Sequence, residues 1–231
     1  MMKLRPSIER GSANHGWLDS KFTFSFAHYY DVKHMGFGPL RVINEDFIEA
    51  AQGFGMHPHD NMEILTYIIK GSLEHQDSMG HHSVIKEGMI QKMSAGSGIR
   101  HSEFNASEMD KTHLLQIWMI PNVHDIKPNY EEYFYDLAED KLVALASCNP
   151  KENEAKIYQD LYLYRGVFND GKSVGYDLKF DSAWIQLIEG SLSVNDMTMS
   201  AGDGLAISSA ENINILALKK AHFLLFDMNR E

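Results

Sequence analysis

The sequence has little of what several classes of protein require. Its 231 residues include a single cysteine, Cys148, so no disulfide can form within the chain. That usage fits a reducing compartment, and the first ten residues lack the apolar segment of a signal peptide, so we expect a cytoplasmic protein. No apolar run reaches the roughly 20 residues that a membrane helix needs, so we expect no membrane association.

Positive charge is also scarce. Lysine and arginine total 21 against 32 aspartate and glutamate residues, which gives a formal net charge of -11. An acidic surface repels phosphate backbones, so the composition argues against direct nucleic-acid binding. Hydrophobic residues make up 44% of the chain and charged residues 23%, a globular composition that supports one large or two small cores. We expect such a chain to be a monomer.

The chain does have histidine in an ordered pattern, between residues 53 and 105. His57 and His59 stand two apart, and His101 and Glu103 repeat that spacing about forty residues later. Residues two apart on a strand point to the same face, so each pair can direct two donor atoms at one point. One such pair alone is typical of ordinary loop histidines. Two pairs flanked by glycine turns predict a site for a borderline divalent transition metal, which imidazole and carboxylate ligands suit.

The residues alone leave two features of this site open. Four ligands in a closed tetrahedron indicate structural zinc, whereas four ligands on a six-coordinate ion leave positions for chemistry. The carboxylate ligand is also open, because Glu63 follows His59 by four residues and competes with Glu103. Strand alternation favours Glu103, which shares a face with His101.

Runs of alternating or β-branched apolar residues separated by glycine turns predict an all-β protein with few short helices. The stretch Ile68-Ile-Lys-Gly71-Ser-Leu73 echoes Leu187-Ile-Glu-Gly190-Ser-Leu192 at an offset of 119 residues, which predicts two related β-barrels. Residues 121–129 contain two prolines and few apolar residues, as a linker does. We therefore expect an N-terminal metal-binding barrel over residues 1–125 and a C-terminal barrel over residues 126–231.

The repeat also indicates that the second barrel lacks a metal. At the 119-residue offset, the counterparts of the first ligand group are Tyr176, Leu178 and Ser182. Counting from Gly202 as from Gly88 puts Ile215 and Ala217 opposite His101 and Glu103. These residues make a poor set of divalent-metal ligands, so we expect a degenerate barrel that braces the first.

The histidine region resembles the two motifs of cupin barrels. His59 to Glu63 and His101 to Asn105 match their spacings, although the turn from Gly96 to His101 is two residues longer than the usual pattern. Within the cupins, the chain resembles the bacterial quercetinase-type branch of the pirin family. The phrases that carry this resemblance span most of the first half and are Asn14-His-Gly-Trp-Leu-Asp-Ser20, Thr23-Phe-Ser-Phe26, Leu40-Arg-Val-Ile-Asn44, Gly55-Met-His-Pro-His59, Glu74-His-Gln-Asp-Ser78 and Met93-Ser-Ala-Gly-Ser-Gly-Ile-Arg-His-Ser-Glu103. The second half resembles the family more weakly.

This resemblance implies a bicupin, with two antiparallel β-barrels of the double-stranded β-helix type in one chain and metal in the N-terminal barrel alone. The implied metal ligands are His57, His59, His101 and Glu103, and Glu103 is also the implied catalytic base. Glu63 is then expected beside the ligands, where it would orient a ligand imidazole. Asn105 is expected to do the same or to close a turn. His75 and Gln116 are candidates for the pocket wall.

The resemblance also implies an activity, the cleavage of flavonols such as quercetin by dioxygen with release of carbon monoxide, as in a quercetin 2,3-dioxygenase. The cofactor would be one divalent transition metal, with iron expected in the cell and nickel, copper, cobalt, manganese or zinc able to occupy the site on isolation. An alternative is a non-enzymatic pirin that senses metal or redox state and binds a protein partner in regulation. A different cupin enzyme, such as an isomerase, is a third interpretation.

Overall fold

Strands make up nearly all of the regular structure in a computed structural model that describes residues 1–229. A single 3₁₀ turn, Ser7–Glu9, is the helical element of that range. The strands of the first part are β1 (Met2–Arg5), β2 (Gly11–Asn14), β3 (Leu18–Phe22), β4 (Leu40–Ile48), β5 (Gly53–His59), β6 (Glu63–Lys70), β7 (Ser72–Asp77), β8 (His82–Lys86), β9 (Met89–Ser94), β10 (Ile99–Asn105) and β11 (Thr112–Met119).

The second part continues the same pattern of strands and turns. Its strands are β12 (Asn129–Phe134), β13 (Leu142–Ser147), β14 (Ala155–Lys156), β15 (Leu161–Phe168), β16 (Ser173–Asp177), β17 (Ser182–Val194), β18 (Met197–Ser200), β19 (Gly204–Ser208) and β20 (Asn212–Met228). The all-β prediction is therefore confirmed. Over residues 1–229, no helix is long and apolar enough to cross a membrane.

Three sheets divide these strands. A seven-stranded sheet has the order β12-β9-β6-β11-β4-β3-β2, and a four-stranded sheet has the order β5-β10-β7-β8. The nine-stranded sheet runs β1-β19-β17-β20-β15-β13-β14, with β16 also paired to β20 and β18 to β17. Among the described strands, every pairing is antiparallel except that of β13 with β14. The first two sheets enclose the N-terminal domain, and the third builds the C-terminal domain.

The two domains exchange their outermost strands. β1, at the start of the chain, pairs with β19 in the third sheet, and β12 pairs with β9 in the first. β12 therefore belongs to the N-terminal sheet although it follows the expected division between residues 125 and 126. Each exchanged strand covers a sheet edge of the other domain, which protects backbone groups that would otherwise be open to another chain.

The inner strand β6 of the seven-stranded sheet is buried on both faces. Ile64 and Ile68 face the interior of the N-terminal domain, whereas Leu65, Tyr67 and Ile69 belong to a large apolar cluster that also contains residues of the third sheet. The residues of the third sheet in that cluster include Trp184, Leu224 and Phe226. The alternation of side chains along β6 therefore gives one strand two different environments, one inside the N-terminal domain and one between the domains.

The two glycines of the predicted repeat have the same backbone conformation. Gly71 has a φ of 89° and Gly190 a φ of 84°, both in the left-handed region that favours glycine. Gly71 separates β6 from β7, whereas β17 continues through Gly190. The shared conformation agrees with the repeat that the sequence indicates.

We expect Gly190→Ala to destabilise the protein more than Gly71→Ala. A positive φ costs an alanine about 1–2 kcal/mol at either position. At Gly190 the new Cβ would also collide with the backbone oxygen of Lys220, whereas at Gly71 its nearest neighbour is the side-chain Oγ1 of Thr112 at 2.8 Å. Urea unfolding of both variants measures the difference.

Gly80→Ala is the matched control for this experiment. Gly80 has a φ of 96°, and a Cβ there would meet nothing within 4 Å. The stability lost by Gly80→Ala therefore reports the backbone cost alone. Equal losses in all three variants would contradict the role of the collision at Gly190.

Candidate metal centre

The register of β10 between its two neighbours assembles the histidine cluster. His101 lies directly opposite His57 on β5, and Ile99 lies opposite His59. The pairing with β5 shifts between His101 and Glu103, which marks a β-bulge. On the other side, β7 places His75 opposite Glu103. Residues far apart in sequence therefore meet because three strands pair in this register.

Three imidazoles form the centre of the cluster. The ring centroids of His57 and His101 are 4.4 Å apart, and those of His59 lie 4.8 Å from His57 and 4.9 Å from His101. One ring nitrogen from each residue falls within 4.8 Å of the other two. His57 Nδ1 lies 2.8 Å from the backbone oxygen of Gly55, so Nδ1 carries the proton and Nε2 is available to a metal.

The environment of these imidazoles suits a bound cation. His101 is 1% exposed, and neither of its ring nitrogens has a hydrogen-bond partner. Buried polar atoms without partners are costly, and a metal bond would satisfy one of these nitrogens. Burial, with a further contribution from neighbouring imidazoles, lowers the pKa of His59 and of His101 to about 3. Both rings are therefore neutral near pH 7, as ligation requires.

Glu103 lies beside this cluster, where it is buried and hydrogen-bonded through both carboxylate oxygens. Its Oε1 accepts hydrogen bonds from Thr66 Oγ1 at 3.2 Å and Gln91 Nε2 at 3.2 Å, and its Oε2 accepts one from Gln116 Nε2 at 2.7 Å. Burial raises the pKa of Glu103 despite these hydrogen bonds and the nearby imidazole of His75. Three neutral donors thus hold the carboxylate in place, and burial keeps its pKa above the ordinary value.

The four expected ligands occupy two overlapping triads. One triad contains His57, His59 and His101, and the other contains His75, His101 and Glu103, each with its donor atoms within 4.8 Å of one another. His101 is shared by both. The structure thus brings the expected residues together around His101, and it adds His75, which sequence reasoning treated only as a candidate for the pocket wall.

The placement of His75 depends on a ring stack. Its imidazole lies parallel to the ring of Tyr130, with centroids 4.2 Å apart and planes at 15°. Nε2 is 3.4 Å from Asp77 Oδ2, and Nδ1 is buried without a partner. Burial lowers the pKa of His75, which keeps the ring neutral and able to act as a ligand or a hydrogen-bond partner.

Two of the remaining candidates have clear roles. Gln116 lines the cavity and donates to Glu103, as expected of a wall residue. Asn105 closes a turn instead of orienting a ligand. Its Nδ2 donates to the backbone oxygens of Ile48, Glu49 and Asp110, and its Oδ1 accepts from Ser107 N and Thr112 Oγ1.

Glu63 does not lie beside the imidazoles, contrary to expectation. It is the first residue of β6 and has the opposite parity to Thr66, so it points away from the metal centre and towards the C-terminal domain. There its carboxylate lies 3.7 Å from Lys92 Nζ and accepts a hydrogen bond from the backbone N–H of Tyr158. Spacing along the chain suggested a role that strand alternation forbids.

Sequence reasoning missed Thr66 and Gln91, which hold Glu103. Both are buried polar residues on strands whose other inward residues are apolar. Thr66 alternates with Ile64 and Ile68, and Gln91 alternates with Met89 and Met93. A polar residue in the inward register of an otherwise apolar strand is the signal that would have identified them.

A cavity of about 840 Å³ opens beside the cluster. Its lining includes the three clustered imidazoles and Glu103. The other walls are largely aromatic, with a smaller polar patch, and include Trp17, Phe22, Phe26, Phe54, Trp118, Ser20, Asn44, Asp46 and Gln116. This volume and this mixture of apolar walls and a few polar groups are typical of a binding site for a small organic molecule.

Two β domains with an imidazole cluster in the first define a two-domain cupin protein. Residues 3–119 match the family model described as Pirin, and residues 144–228 match that of the quercetinase C-terminal cupin domain. The chain belongs to the pirin family. It is 48% identical over 229 residues to a protein of Escherichia coli (strain K12) named quercetin 2,3-dioxygenase, with 99% of each chain covered.

Solved structures agree with this membership. The crystal structure of YhhW from Escherichia coli superposes with a TM-score of 0.97 at 46% identity and covers 100% of this chain and 99% of that one. The nickel(II) complex of the bacterial pirin YhhW from Escherichia coli gives a TM-score of 0.96 at 45% identity, with 100% of both chains covered. The predicted family and bicupin fold are therefore confirmed, and that relative binds a metal.

We expect Glu63→Gln to lower stability and leave metal binding unchanged. The substitution removes a buried negative charge near Lys92, at a cost of about 1–3 kcal/mol in the free energy of unfolding. Lys92 keeps its contacts with Glu131 and Ser94, which limits the loss. Urea unfolding and metal content after desalting measure the two effects. A variant that folds normally but loses its metal would show that Glu63 contributes to metal binding.

The protonation of Asp46 predicts a pH dependence of stability. Asp46 accepts a hydrogen bond from Ser20 Oγ at 2.5 Å, and burial raises its pKa from an ordinary 3.8 to about 7. The folded state therefore binds a proton that the unfolded chain releases, so its contribution is complete below pH 3.8 and is lost as the pH rises to 7. At 1.36 kcal/mol per pKa unit, the loss amounts to about 4 kcal/mol.

The variant Asp46→Asn isolates this effect, because other groups titrate in both proteins. The difference in unfolding free energy between wild type and variant should favour the variant increasingly from pH 4 to pH 8. Urea unfolding at several pH values measures it. A difference that is constant across this range would show that Asp46 ionises normally in the folded protein.

Proposed function

We propose that the protein is a metal-dependent dioxygenase that cleaves flavonols such as quercetin and releases carbon monoxide. One observation carries the proposal: the three imidazoles and Glu103 lie on the wall of an 840 Å³ cavity whose other walls are largely aromatic. The name of the Escherichia coli relative, quercetin 2,3-dioxygenase, supports the same activity.

The metal ligands in this proposal are His57, His59, His101 and Glu103. A divalent transition metal held there supplies a cationic centre for an anionic bidentate oxygen ligand, such as the 3-hydroxyl and 4-carbonyl of a flavonol, and for dioxygen. Iron is the proposed metal in the cell. Nickel, which the YhhW complex contains, is among the metals that such a donor set retains on isolation.

Glu103 acts as the base that takes the proton of the flavonol 3-hydroxyl. Burial raises the pKa of Glu103, and its carboxylate accepts the hydroxyl proton when its bond to the metal loosens. Gln116 and Gln91 fix its orientation through their hydrogen bonds. The cluster thus provides both the docking point for the substrate oxygens and the group that deprotonates them.

The aromatic walls of the cavity suit a planar polyphenol. Trp118 lies edge-on to Phe26, with ring centroids 5.5 Å apart, and edge-on to His59 at 4.8 Å. Trp17 and Phe54 form a second edge-to-face pair at 5.2 Å. Such walls exclude water from the substrate rings and offer faces and edges for stacking. The polar patch of Ser20, Asn44 and Asp46 gives the ring hydroxyls hydrogen-bond partners.

Oxygen uptake with quercetin tests this function. Metal-stripped protein is reloaded separately with iron, manganese, cobalt, nickel and copper, and carbon monoxide is measured beside oxygen. We expect equimolar release of carbon monoxide and consumption of oxygen with at least one metal. His101→Ala should lose both metal and activity, and Glu103→Gln should lower kcat about 100-fold or more, the usual contribution of a general base.

His82→Ala is the matched control, because His82 is an exposed histidine on β8 that pairs with Glu74 outside the cluster. It should retain full activity. Absence of oxygen uptake at full occupancy with every metal would refute the enzymatic proposal and favour the regulatory alternative, in which a metal-bound pirin binds a protein partner.

A further inference from the structure

A second cavity lies where the two domains meet and shares no lining residue with the metal centre. It has a volume of about 450 Å³ and is called the interdomain cavity below. β6 contributes Tyr67 from the N-terminal domain, and β15 and β20 contribute Arg165 and His222 from the C-terminal domain. The connection between β12 and β13 adds Tyr135 and Leu137.

Arg165 is a buried cation in the lining of this cavity that lacks a counter-ion. The side chain is 7% exposed, yet no carboxylate within residues 1–229 forms an ion pair with it. One guanidinium nitrogen donates to the backbone oxygen of Ala138 at 3.2 Å, and Nε is buried without a partner. A buried charge without a counter-ion is expensive, so the site is electrostatically incomplete as it stands.

The groups around Arg165 do not supply a buried counter-ion, since Asp136, which interacts electrostatically with Arg165, is exposed and pairs with Lys141 at 2.8 Å. Tyr135 presents its ring to the guanidinium at 5.7 Å, which is a weak cation–π contact. Tyr67 Oη lies 2.7 Å from His222 Nε2 and also interacts with Tyr135 and Arg165, but a phenol hydroxyl brings no negative charge. Burial, with the nearby charge of Arg165, lowers the pKa of His222 to about 3, so this imidazole is neutral and leaves Arg165 as the buried charge of the wall.

The remaining charges of the lining lie at its exposed rim. Lys220 Nζ pairs with Glu139 at 2.6 Å, so these two charges neutralise each other. Lys70, Glu87 and Glu189 are exposed to solvent, where their fields are screened. One unpaired cation at the base of the cavity therefore matches a ligand that carries one negative charge.

We propose that the interdomain cavity binds a small organic carboxylate, whose charge is received by Arg165 and whose apolar or aromatic body packs between the two domains. The planar guanidinium suits a carboxylate, because it can donate two parallel hydrogen bonds to it. Tyr67, Tyr135, Leu137 and Val167 provide the surface for the body of the ligand. The volume of the cavity falls within the range of small-molecule sites.

Titration of the zinc-loaded, full-length protein with benzoate tests this assignment. Calorimetry gives the dissociation constant, and the amide shifts of Val167 and Ala221 in ¹⁵N spectra report the location. We expect saturable binding of benzoate that moves these two amides. The neutral isostere benzamide should bind at least about tenfold more weakly, because it lacks the charge that Arg165 needs.

Variants separate the interdomain cavity from the metal centre. Arg165→Gln should weaken benzoate binding about 10- to 100-fold, and Arg165→Lys, which keeps the charge, should retain part of it. Lys3→Gln removes a distant exposed charge and should leave binding unchanged. His101→Ala should also leave it unchanged, so success or failure here is independent of oxygen uptake at the metal centre.

Several outcomes would overturn the proposal. They are the absence of saturable benzoate binding, equal binding by wild type and a folded Arg165→Gln variant, and loss of binding in His101→Ala. Binding of inorganic phosphate without binding of benzoate would overturn the carboxylate assignment. If Arg165→Gln does not fold, the benzoate and benzamide comparison on the wild type still decides whether a charge is recognised.

Discussion

The pairing of β10 with β5 on one side and β7 on the other is the constraint on which the metal centre depends. It places His101 opposite His57 and Glu103 opposite His75. Side chains alternate between the two faces of a strand, so a slip by one residue would turn every inward donor of β10 outward. The bulge after His101 adjusts the pairing with β5 and leaves the pairing with β7 regular. The geometry of the candidate metal centre is therefore a consequence of strand register.

A buried layer of polar side chains stabilises that register, because its hydrogen bonds offset the cost of burying Glu103. The donor groups of Thr66, Gln91 and Gln116 all end on Glu103, and each comes from a different strand of the seven-stranded sheet. Apolar clusters lie above and below this layer within the domain. Polar groups in such surroundings have few alternative partners, so the network specifies one arrangement. The raised pKa of Glu103 and the lowered pKa values of His59 and His101 follow from the same burial.

Much of this arrangement could be predicted from the sequence, because it rests on local periodicity. The two-residue spacings identified His57, His59, His101 and Glu103, and the repeated glycine turns indicated two domains. Features that depend on pairing between distant segments could not be predicted from the sequence. The place of His75 is set by the register of β7 against β10, and the exchange of β1 and β12 between domains has no local signal. For Glu63, the expected place beside the ligands came from the family resemblance, whereas the start of β6 at this residue gives it the opposite parity to Thr66 and turns it away from the imidazoles.

The second domain, for which the sequence predicts no metal, has a physical reason to persist beside the first. β6 carries Thr66 towards Glu103 and Tyr67, its neighbour in sequence, towards the C-terminal domain. Without that domain, Leu65, Tyr67 and Ile69 would face water, and β6, an inner strand of the seven-stranded sheet, would lose the apolar cover of one face. The C-terminal domain needs no ligands to do this, since it needs only an apolar face of matching shape. The expected lack of metal ligands in the second domain is therefore compatible with a strong requirement for its fold. The two faces of β6 also connect the candidate metal centre to the interdomain cavity through a single strand.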